Sequence, residues 1–200
     1  MKTKIILDLD GIVFAPINDA VSVRARQVYG PRAMLTNICK KLNIRRAHVT
    51  NKLADITYDC ATSATFMPGA QQALAALVNT PGFSVEACSA IAYPGQAQKL
   101  EQFYRALSPE MNKIEKYHLI SPLESKAPVY SEIFARCDED FGRIFALDTV
   151  VQNLRRPYFL RMNPVLISTD QKLLNAARQE YCARQFHTLA QFQTCITRKK

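Results

Sequence analysis

Residues 4–14 read KIILDLDGIVF, an apolar run of strand length that ends in two carboxylates, Asp8 and Asp10, and then Gly11. This pattern predicts a buried β-strand that delivers both acids to its carboxyl end, where parallel sheets bind ligands. Because carboxylates this close repel each other, a bound cation, a shared proton or exposure to water must relieve the repulsion. An ordinary strand followed by an Asp-Gly turn is the alternative interpretation.

The length and charge of the chain limit its class. Its 200 residues suffice for one core and a small insertion. The formal net charge of +9 favours an acidic partner, for which phosphate esters, nucleotides and nucleic acid all qualify. Asp8 and Asp10 interrupt the first apolar run before it could serve as a signal peptide, and no later run approaches membrane-spanning length. We therefore expect a soluble, cytoplasmic protein with no membrane partner.

Six cysteines are scattered along the chain without the paired spacing of a zinc site. This favours reduced, mostly buried thiols over a metal centre or a disulfide scaffold. The three histidines also lack metal-ligand spacing and are expected to be structural or surface residues. The cysteines are Cys39, Cys60, Cys88, Cys137, Cys182 and Cys195.

Residues 19–65 show helical periodicity and no convincing strand. Helices are predicted over residues 20–29, 32–42 and 45–53. The segment carries eight basic residues against three acidic ones, which is consistent with a solvated basic face or with a surface that attracts substrate. It is therefore predicted to be a helical insertion.

From residue 66 onward, strands and helices alternate. This order predicts an α/β fold with a doubly wound, mainly parallel, Rossmann-like sheet. Residues 1–18 and 66–200 would form this core, and residues 19–65 would form a small all-helical cap. The predicted strands cover residues 83–88, 117–120, 144–147 and 165–168. The predicted helices cover residues 70–78, 96–107 and 128–136, and a last helix is capped by Thr188 and runs to residue 192.

Polar residues follow several of the predicted strands. Asp8 and Asp10 end the first, Ser89 follows the second and Asp148 follows the fourth, while Lys126 stands just before the helix that begins near Pro128. Because the carboxyl ends of parallel strands meet at one edge of a sheet, these residues should converge. Together they would form a site suited to phosphoryl transfer.

The order of these motifs resembles the haloacid dehalogenase-like superfamily over nearly the whole chain. Asp8-Leu9-Asp10-Gly11 resembles its DxDG signature. The resemblance implies an Mg²⁺-dependent phosphatase that works through an aspartyl-phosphate. Asp8 would be the nucleophile and Asp10 the general acid and base. Ser89 and Lys126 would bind the transferring phosphate, and Lys126 would also stabilise the nucleophile. Asp8, Asp148 and the main-chain carbonyl of Asp10 would hold Mg²⁺.

Several assignments have competitors, and two positions depart from the family pattern. Ser84 or Tyr93 could replace Ser89, and Lys113 or Lys116 could replace Lys126. Ile12 stands where the family usually has Thr or Val. The last motif of the family usually has a second acid next to the first or one turn later, and this chain has Thr149 and Gln152 there. The loss of this acid should weaken metal binding.

These patterns predict an Mg²⁺-dependent phosphatase that acts on a small phosphate monoester, such as a nucleotide or a sugar phosphate. The second acid, Asp10, disfavours a dehalogenase, because dehalogenases of the superfamily lack it. The alternative is a nucleic-acid-binding or protein-binding module on a catalytically weak fold of this kind, which the missing acid and the high positive charge would favour.

Overall fold

The computed structural model describes residues 2–29, 46–137 and 141–198. The helix predicted over residues 32–42 lies outside the described residues, as does Cys39.

Six parallel strands form one sheet in the described part of the chain, in the order β3-β2-β1-β4-β5-β6. This confirms the predicted doubly wound sheet. The chain reverses its direction of winding between β1 and β4, and ligands bind at such a switch point. The strands are β1 (Lys2–Leu7), β2 (Phe83–Ser89), β3 (Lys116–Leu119), β4 (Phe141–Asp148), β5 (Asn163–Ile167) and β6 (Arg184–Phe186).

Helices connect the strands, and a helix is found at each predicted position that is described. The helix predicted to end at residue 53 extends ten residues further, and the last one extends five residues beyond its predicted end at residue 192. Asp170 and Thr188 cap two of the helices by accepting hydrogen bonds from the backbone N–H groups of Lys172 and Gln191. The helices are α1 (Asn18–Tyr29), α2 (Arg46–Ser63), α3 (Ala70–Asn79), α4 (Ala97–Leu107), α5 (Pro109–Asn112), α6 (Ala127–Arg136), α7 (Arg155–Phe159), α8 (Gln171–Tyr181) and α9 (Leu189–Thr197). A 3₁₀ turn (Val151–Leu154) precedes α7.

Both faces of the sheet are apolar and covered, as expected for parallel strands. Ile5 and Leu7 point into a large cluster that includes Leu74 of α3 and Phe192 of α9. Ile6 points the other way, into a smaller cluster with residues of α6. This alternation buries β1 at the centre of the molecule, so the residues that follow it have a rigid support.

The two ends of the helical segment that follows β1 meet in a short antiparallel contact at the core. Phe14 and Phe66 form an isolated bridge, and the Ala15 N–H donates to the Thr65 carbonyl at 2.9 Å. Between these points the described residues form only α1 and α2. None of the described helices is both long and apolar enough to cross a membrane.

The five cysteines in the described part of the chain are free thiols. Cys60 and Cys88 are buried as expected, whereas Cys182, at the C-terminal end of α8, is exposed. None of these five forms a disulfide with another described cysteine, and the expectation of burial is wrong for Cys182.

A polar network crosses the sheet at Glu86 of β2. Its Oε1 lies 2.9 Å from Lys4 Nζ, and its Oε2 lies 2.8 Å from His118 Nε2 and 3.2 Å from Arg136 Nη2. Burial would raise the pKa of Glu86, but the hydrogen bonds from His118 and Lys4 and the charges of Lys4 and Arg136 outweigh it. They lower the pKa from its ordinary 4.5 to about 2.

Glu86→Gln is expected to lower the free energy of unfolding at pH 7 by about 3 kcal/mol, since one pKa unit corresponds to about 1.4 kcal/mol. The folded-state pKa lies below the unfolded one. The stabilisation is therefore complete above about pH 5 and is lost as the pH falls towards 2. Urea unfolding of both proteins from pH 7 to pH 3 measures this. The exposed Glu180→Gln is the control, and a difference that does not depend on pH would contradict the assignment.

Candidate active site

Four residues far apart in sequence meet at the switch point of the sheet. Asp8 follows β1, Ser89 ends β2, Asp148 ends β4, and Lys126 immediately precedes α6. Lys126 Nζ lies 2.8 Å from Asp8 Oδ2 and 2.7 Å from Asp148 Oδ2. Ser89 Oγ donates to Asp8 Oδ1 at 2.6 Å. The structure thus brings together the residues that the strand ends predicted.

Three of the four competing residues contact other groups. Lys113 contacts Asn79, Lys116 pairs with Glu132, and the Ser84 hydroxyl donates to Glu115. Geometry therefore selects Ser89 and Lys126 as the neighbours of Asp8. Their roles towards a phosphate group remain predictions.

Asp10 shares one cavity with Asp8. After β1 the chain turns at Gly11, whose φ of 77° belongs to the left-handed region. The Ile17 N–H then donates to Asp10 Oδ1 at 2.9 Å and fixes the carboxylate. The cavity measures about 250 Å³, and Lys126 and Asn153 also line it. The turn thus keeps both acids on the same opening.

The cavity is acidic although the chain is basic. Asp8, Asp10 and Glu124 are the carboxylates among its described lining residues, and Lys126 is the only cation among them. Burial raises the pKa of Asp8 to about 7, although the positive charge of Lys126 acts to lower it. Burial also raises the pKa of Asp10. The described lining residues thus carry more carboxylates than cations, so an additional cation would favour the binding of a phosphate.

Asp148 lies behind the cavity and is fully buried. Its Oδ1 accepts from the Val150 N–H at 2.8 Å and from Asn153 Nδ2 at 3.1 Å. Its Oδ2 accepts from Lys126 Nζ and, at 3.3 Å, from the Tyr130 hydroxyl. A carboxylate has about four acceptor sites, so these donors fill it. In this arrangement, Asp148 fixes the position of the Lys126 ammonium.

The residues fit a hydrated Mg²⁺ through Asp8 and Asp10. Ser89 and Lys126 are the donors to Asp8 in the described part of the chain, which leaves acceptor sites on its carboxylate. No three acidic, histidine or cysteine side chains form a preformed cage among the described residues. Mg²⁺ needs few protein oxygens because it retains several waters. Asp148 could bind the ion only if one of its hydrogen-bond donors moved away. Its role as a metal ligand remains a prediction.

Asn153 and Tyr130 were missed by the sequence reasoning. Asn153 Nδ2 lies 3.1 and 3.2 Å from the two oxygens of Asp148, and the residue also lines the cavity. Asn153 follows Gln152, the last position considered for a second acid after Asp148. Its polar side chain at this place in the sequence could have indicated it. Tyr130 lies four residues after Lys126 on α6, a spacing that places two side chains on one helix face.

Gly11→Ala is expected to destabilise the fold by about 2 kcal/mol. A left-handed backbone costs a residue with a Cβ about 1–2 kcal/mol, and this Cβ would lie 3.0 Å from Thr149 Cγ2. Gly82→Ala is the matched control, because its φ is +80° and nothing lies within 4 Å of the added Cβ. Urea unfolding should show the larger loss for Gly11→Ala. Equal losses would contradict the close packing of Gly11 on Thr149.

Comparison with known proteins finds no matching family model and no matching curated protein. Solved structures do match. A haloacid dehalogenase-like hydrolase from Streptococcus pneumoniae superposes with a TM-score of 0.71 at 11% identity, covering 98% of each chain. The D,D-heptose 1,7-bisphosphate phosphatase from B. bronchiseptica, complexed with magnesium and phosphate, gives 0.64 at 16% identity over 100% of each chain. The L-2-haloacid dehalogenase from Xanthobacter autotrophicus gives 0.59 at 11% identity over 100% of each chain. The chain has the fold of the haloacid dehalogenase-like hydrolases.

Proposed function

We propose that the protein is an Mg²⁺-dependent phosphatase that hydrolyses a phosphate monoester through an aspartyl-phosphate on Asp8. The observation that carries this proposal is the contact of Lys126 with both Asp8 and Asp148, beside Asp10 in one cavity. In this proposal Asp8 would be the nucleophile, with the Lys126 ammonium and the second acid, Asp10, beside the reacting group. The magnesium-bound phosphatase of the same fold is consistent with it.

The first step transfers the phosphoryl group to Asp8. A carboxylate oxygen of Asp8 attacks phosphorus, and the bond to the ester oxygen breaks. Asp10, which the Ile17 N–H holds in place, gives its proton to the departing alkoxide. Lys126 offsets negative charge on the phosphoryl oxygens. The raised pKa of Asp10 favours the protonated form that this step requires.

Water completes the cycle. Asp10, now a carboxylate, takes a proton from the water that attacks phosphorus, and the bond between phosphorus and Asp8 breaks to release inorganic phosphate. Asp8 and the main-chain carbonyl of Asp10 would hold Mg²⁺, and Asp148 is the third predicted ligand. The bound ion would supply the positive charge that favours phosphate binding in an acidic cavity.

The helices between residues 19 and 65 are proposed as a cap over this cavity. The Phe14–Phe66 bridge, four residues after Asp10, joins the insertion to the loop that carries this acid. A cap in this position would exclude water and contact the leaving group, so substrate selectivity would depend on it.

Asp10 also favours a phosphatase over a dehalogenase, although both occur with this fold. A halide leaves without a proton, whereas an alkoxide needs one. Asp10, a partly buried acid that lines the cavity and accepts a hydrogen bond from the Ile17 N–H, therefore suits an ester substrate.

The proposal is tested by phosphate release from an aryl phosphate, nucleotides and sugar phosphates, with halide release from 2-chloropropionate as a parallel assay. Release should require Mg²⁺, stop with EDTA and return when Mg²⁺ is restored. Release that EDTA leaves unchanged would contradict the role of the metal. Halide release without phosphate release, or no turnover by the folded protein, would overturn the proposed phosphatase.

A nucleic-acid-binding module with weak catalysis is the second candidate. The observation that favours it is the net charge of +9, since Lys126 is the only cation among the described residues that line the acidic cavity. It predicts an affinity for polynucleotide that falls with salt and that persists in Asp8→Asn.

A further inference from the structure

A groove leads away from the candidate active site along the 3₁₀ turn and α7. Asn153 lines both the active-site cavity and a second cavity of about 390 Å³. Phe159 lines both this second cavity and a third one of about 580 Å³. Each opening therefore shares a lining residue with the next one. We call the second and third cavities the arginine groove. Its defining residues are Asn153, Arg155, Arg156, Tyr158, Phe159, Arg161, Tyr181 and Arg184.

The charge of the groove is opposite to that of the active-site cavity. Four arginines line it, and no carboxylate does among its described lining residues. All four arginines are exposed to solvent. Arginine presents a planar fork of donors that binds phosphate, and a row of them attracts a polyanion. A chain of phosphates is therefore the ligand that the charge favours.

Aromatic rings stand between the arginines. Phe159 is 64% exposed and Tyr158 is 40% exposed, so both rings are accessible from solvent. The ring centroid of Tyr158 lies 5.6 Å from that of Phe159 and 6.0 Å from that of Tyr181. Arg155 Cζ lies 6.0 Å from the centre of the Phe159 ring. Accessible rings alternating with cations form the surface on which unpaired bases stack while their backbone is held.

We propose that the arginine groove binds single-stranded nucleic acid and directs its terminal phosphate to Asp8. The substrate class would then be the phosphorylated end of a polynucleotide. This inference rests on the proposed phosphatase. Single strands are favoured over a duplex because a duplex hides the base faces that Phe159 and Tyr158 could contact. The acidic cavity with its cation would take one phosphate, and the groove would hold the following nucleotides.

The first experiment compares kcat/KM for the terminal phosphate of ten-residue thymidine and uridine oligonucleotides, phosphorylated at either end, with that for the mononucleotides. The oligonucleotide should be the better substrate by at least about tenfold. Phe159→Ala and Arg155→Glu should each remove about tenfold of its kcat/KM, roughly the effect of one lost stacking or phosphate contact. Both variants should leave mononucleotide hydrolysis within about twofold of wild type, because neither residue lines the active-site cavity.

Lys99→Glu is the matched control. It changes the net charge as much as Arg155→Glu does, but Lys99 is exposed on α4, whose buried side chains pack on the opposite face of the sheet. It should change neither activity by more than about twofold. Equal kcat/KM for oligonucleotide and mononucleotide, or equal losses in Lys99→Glu and Arg155→Glu, would overturn the inference.

Fluorescence anisotropy on Asp8→Asn, with a labelled oligonucleotide that keeps its terminal phosphate, separates binding from turnover. Binding should weaken with salt, with a log–log slope of about −3 if all four arginines contact phosphates. If binding requires the groove but the wild-type protein hydrolyses no phosphate, the proposed phosphatase activity is overturned and the proposed binding of nucleic acid by the groove is supported. The proposed role of the groove would be overturned if the oligonucleotide does not bind, if the groove variants bind it as well as Asp8→Asn alone does, or if a polyglutamate peptide binds equally well. This holds even if mononucleotides are hydrolysed.

Discussion

Asp8→Asn is expected to lower kcat for phosphate release by at least about a thousandfold, the scale of losing a nucleophile. Asparagine has nearly the same shape, and its amide oxygen can still accept the hydrogen bond that Ser89 gives to Asp8. The fold should therefore persist. Lys126 loses its pair with Asp8 but keeps its pair with Asp148, so no buried charge is left without a partner. The loss should be in chemistry, not in folding.

This prediction is measured as kcat on the best substrate of the panel, together with urea unfolding of the same preparation. Asp170→Asn is the control, because Asp170 is an exposed acid that caps α8 outside the site. It should retain wild-type turnover. An Asp8→Asn protein that is folded and keeps more than about a tenth of the activity would exclude Asp8 as the nucleophile.

Lys126→Met is expected to lower the free energy of unfolding by about 3–5 kcal/mol, the usual cost of removing one member of a buried ion pair. The ammonium is 3% exposed and lies within 2.8 Å of an oxygen on each of Asp8 and Asp148. Methionine fills much of the volume but leaves two buried carboxylates facing each other. Their mutual repulsion and their lost solvation both destabilise the folded state.

Urea unfolding measures this loss, with Lys116→Met as the matched control. Lys116 pairs with Glu132 where both side chains are about half exposed, so its removal should cost less than about 1 kcal/mol. The double variant Lys126→Met with Asp148→Asn should recover part of the stability, because it removes one of the two facing charges. A loss for Lys126→Met no larger than for Lys116→Met would contradict the buried pairing.

The parts of the fold that the sequence predicted carry strong local patterns. The run around Ile5–Leu7 is apolar on both faces, as a central parallel strand must be, and it ends in acids that only a sheet edge can accommodate. β6 has three residues of mixed character and exists through its backbone pairing with β5. α7 contains Pro157 and has five residues, so its helicity depends on the 3₁₀ turn before it. Such elements follow from tertiary contacts, which a local pattern does not contain.

The strand ends of the candidate site could be predicted from local sequence patterns, but the side-chain contacts could not. Strand ends bring Asp8, Ser89 and Asp148 to one edge whatever their rotamers. The partners of Asp148 depend on side-chain direction, which is why Asn153 and Tyr130 were not predicted.

The distribution of charge was also beyond the sequence. The net charge of +9 indicated an acidic partner, but it did not show that the cavity itself is acidic and that four arginines lie along a groove beside it. Folding determines which charges meet, and composition gives only their sum.

The most direct test of the central claim is to locate the phosphoryl group during turnover. The protein is mixed with its best substrate and Mg²⁺, quenched in acid, digested, and the peptides are sequenced by mass spectrometry. A phosphoryl group on Asp8, labile to base and absent from Asp8→Asn, is the predicted result. Turnover with no phosphoryl group on Asp8 under these conditions, or with the group on another residue, would contradict the account.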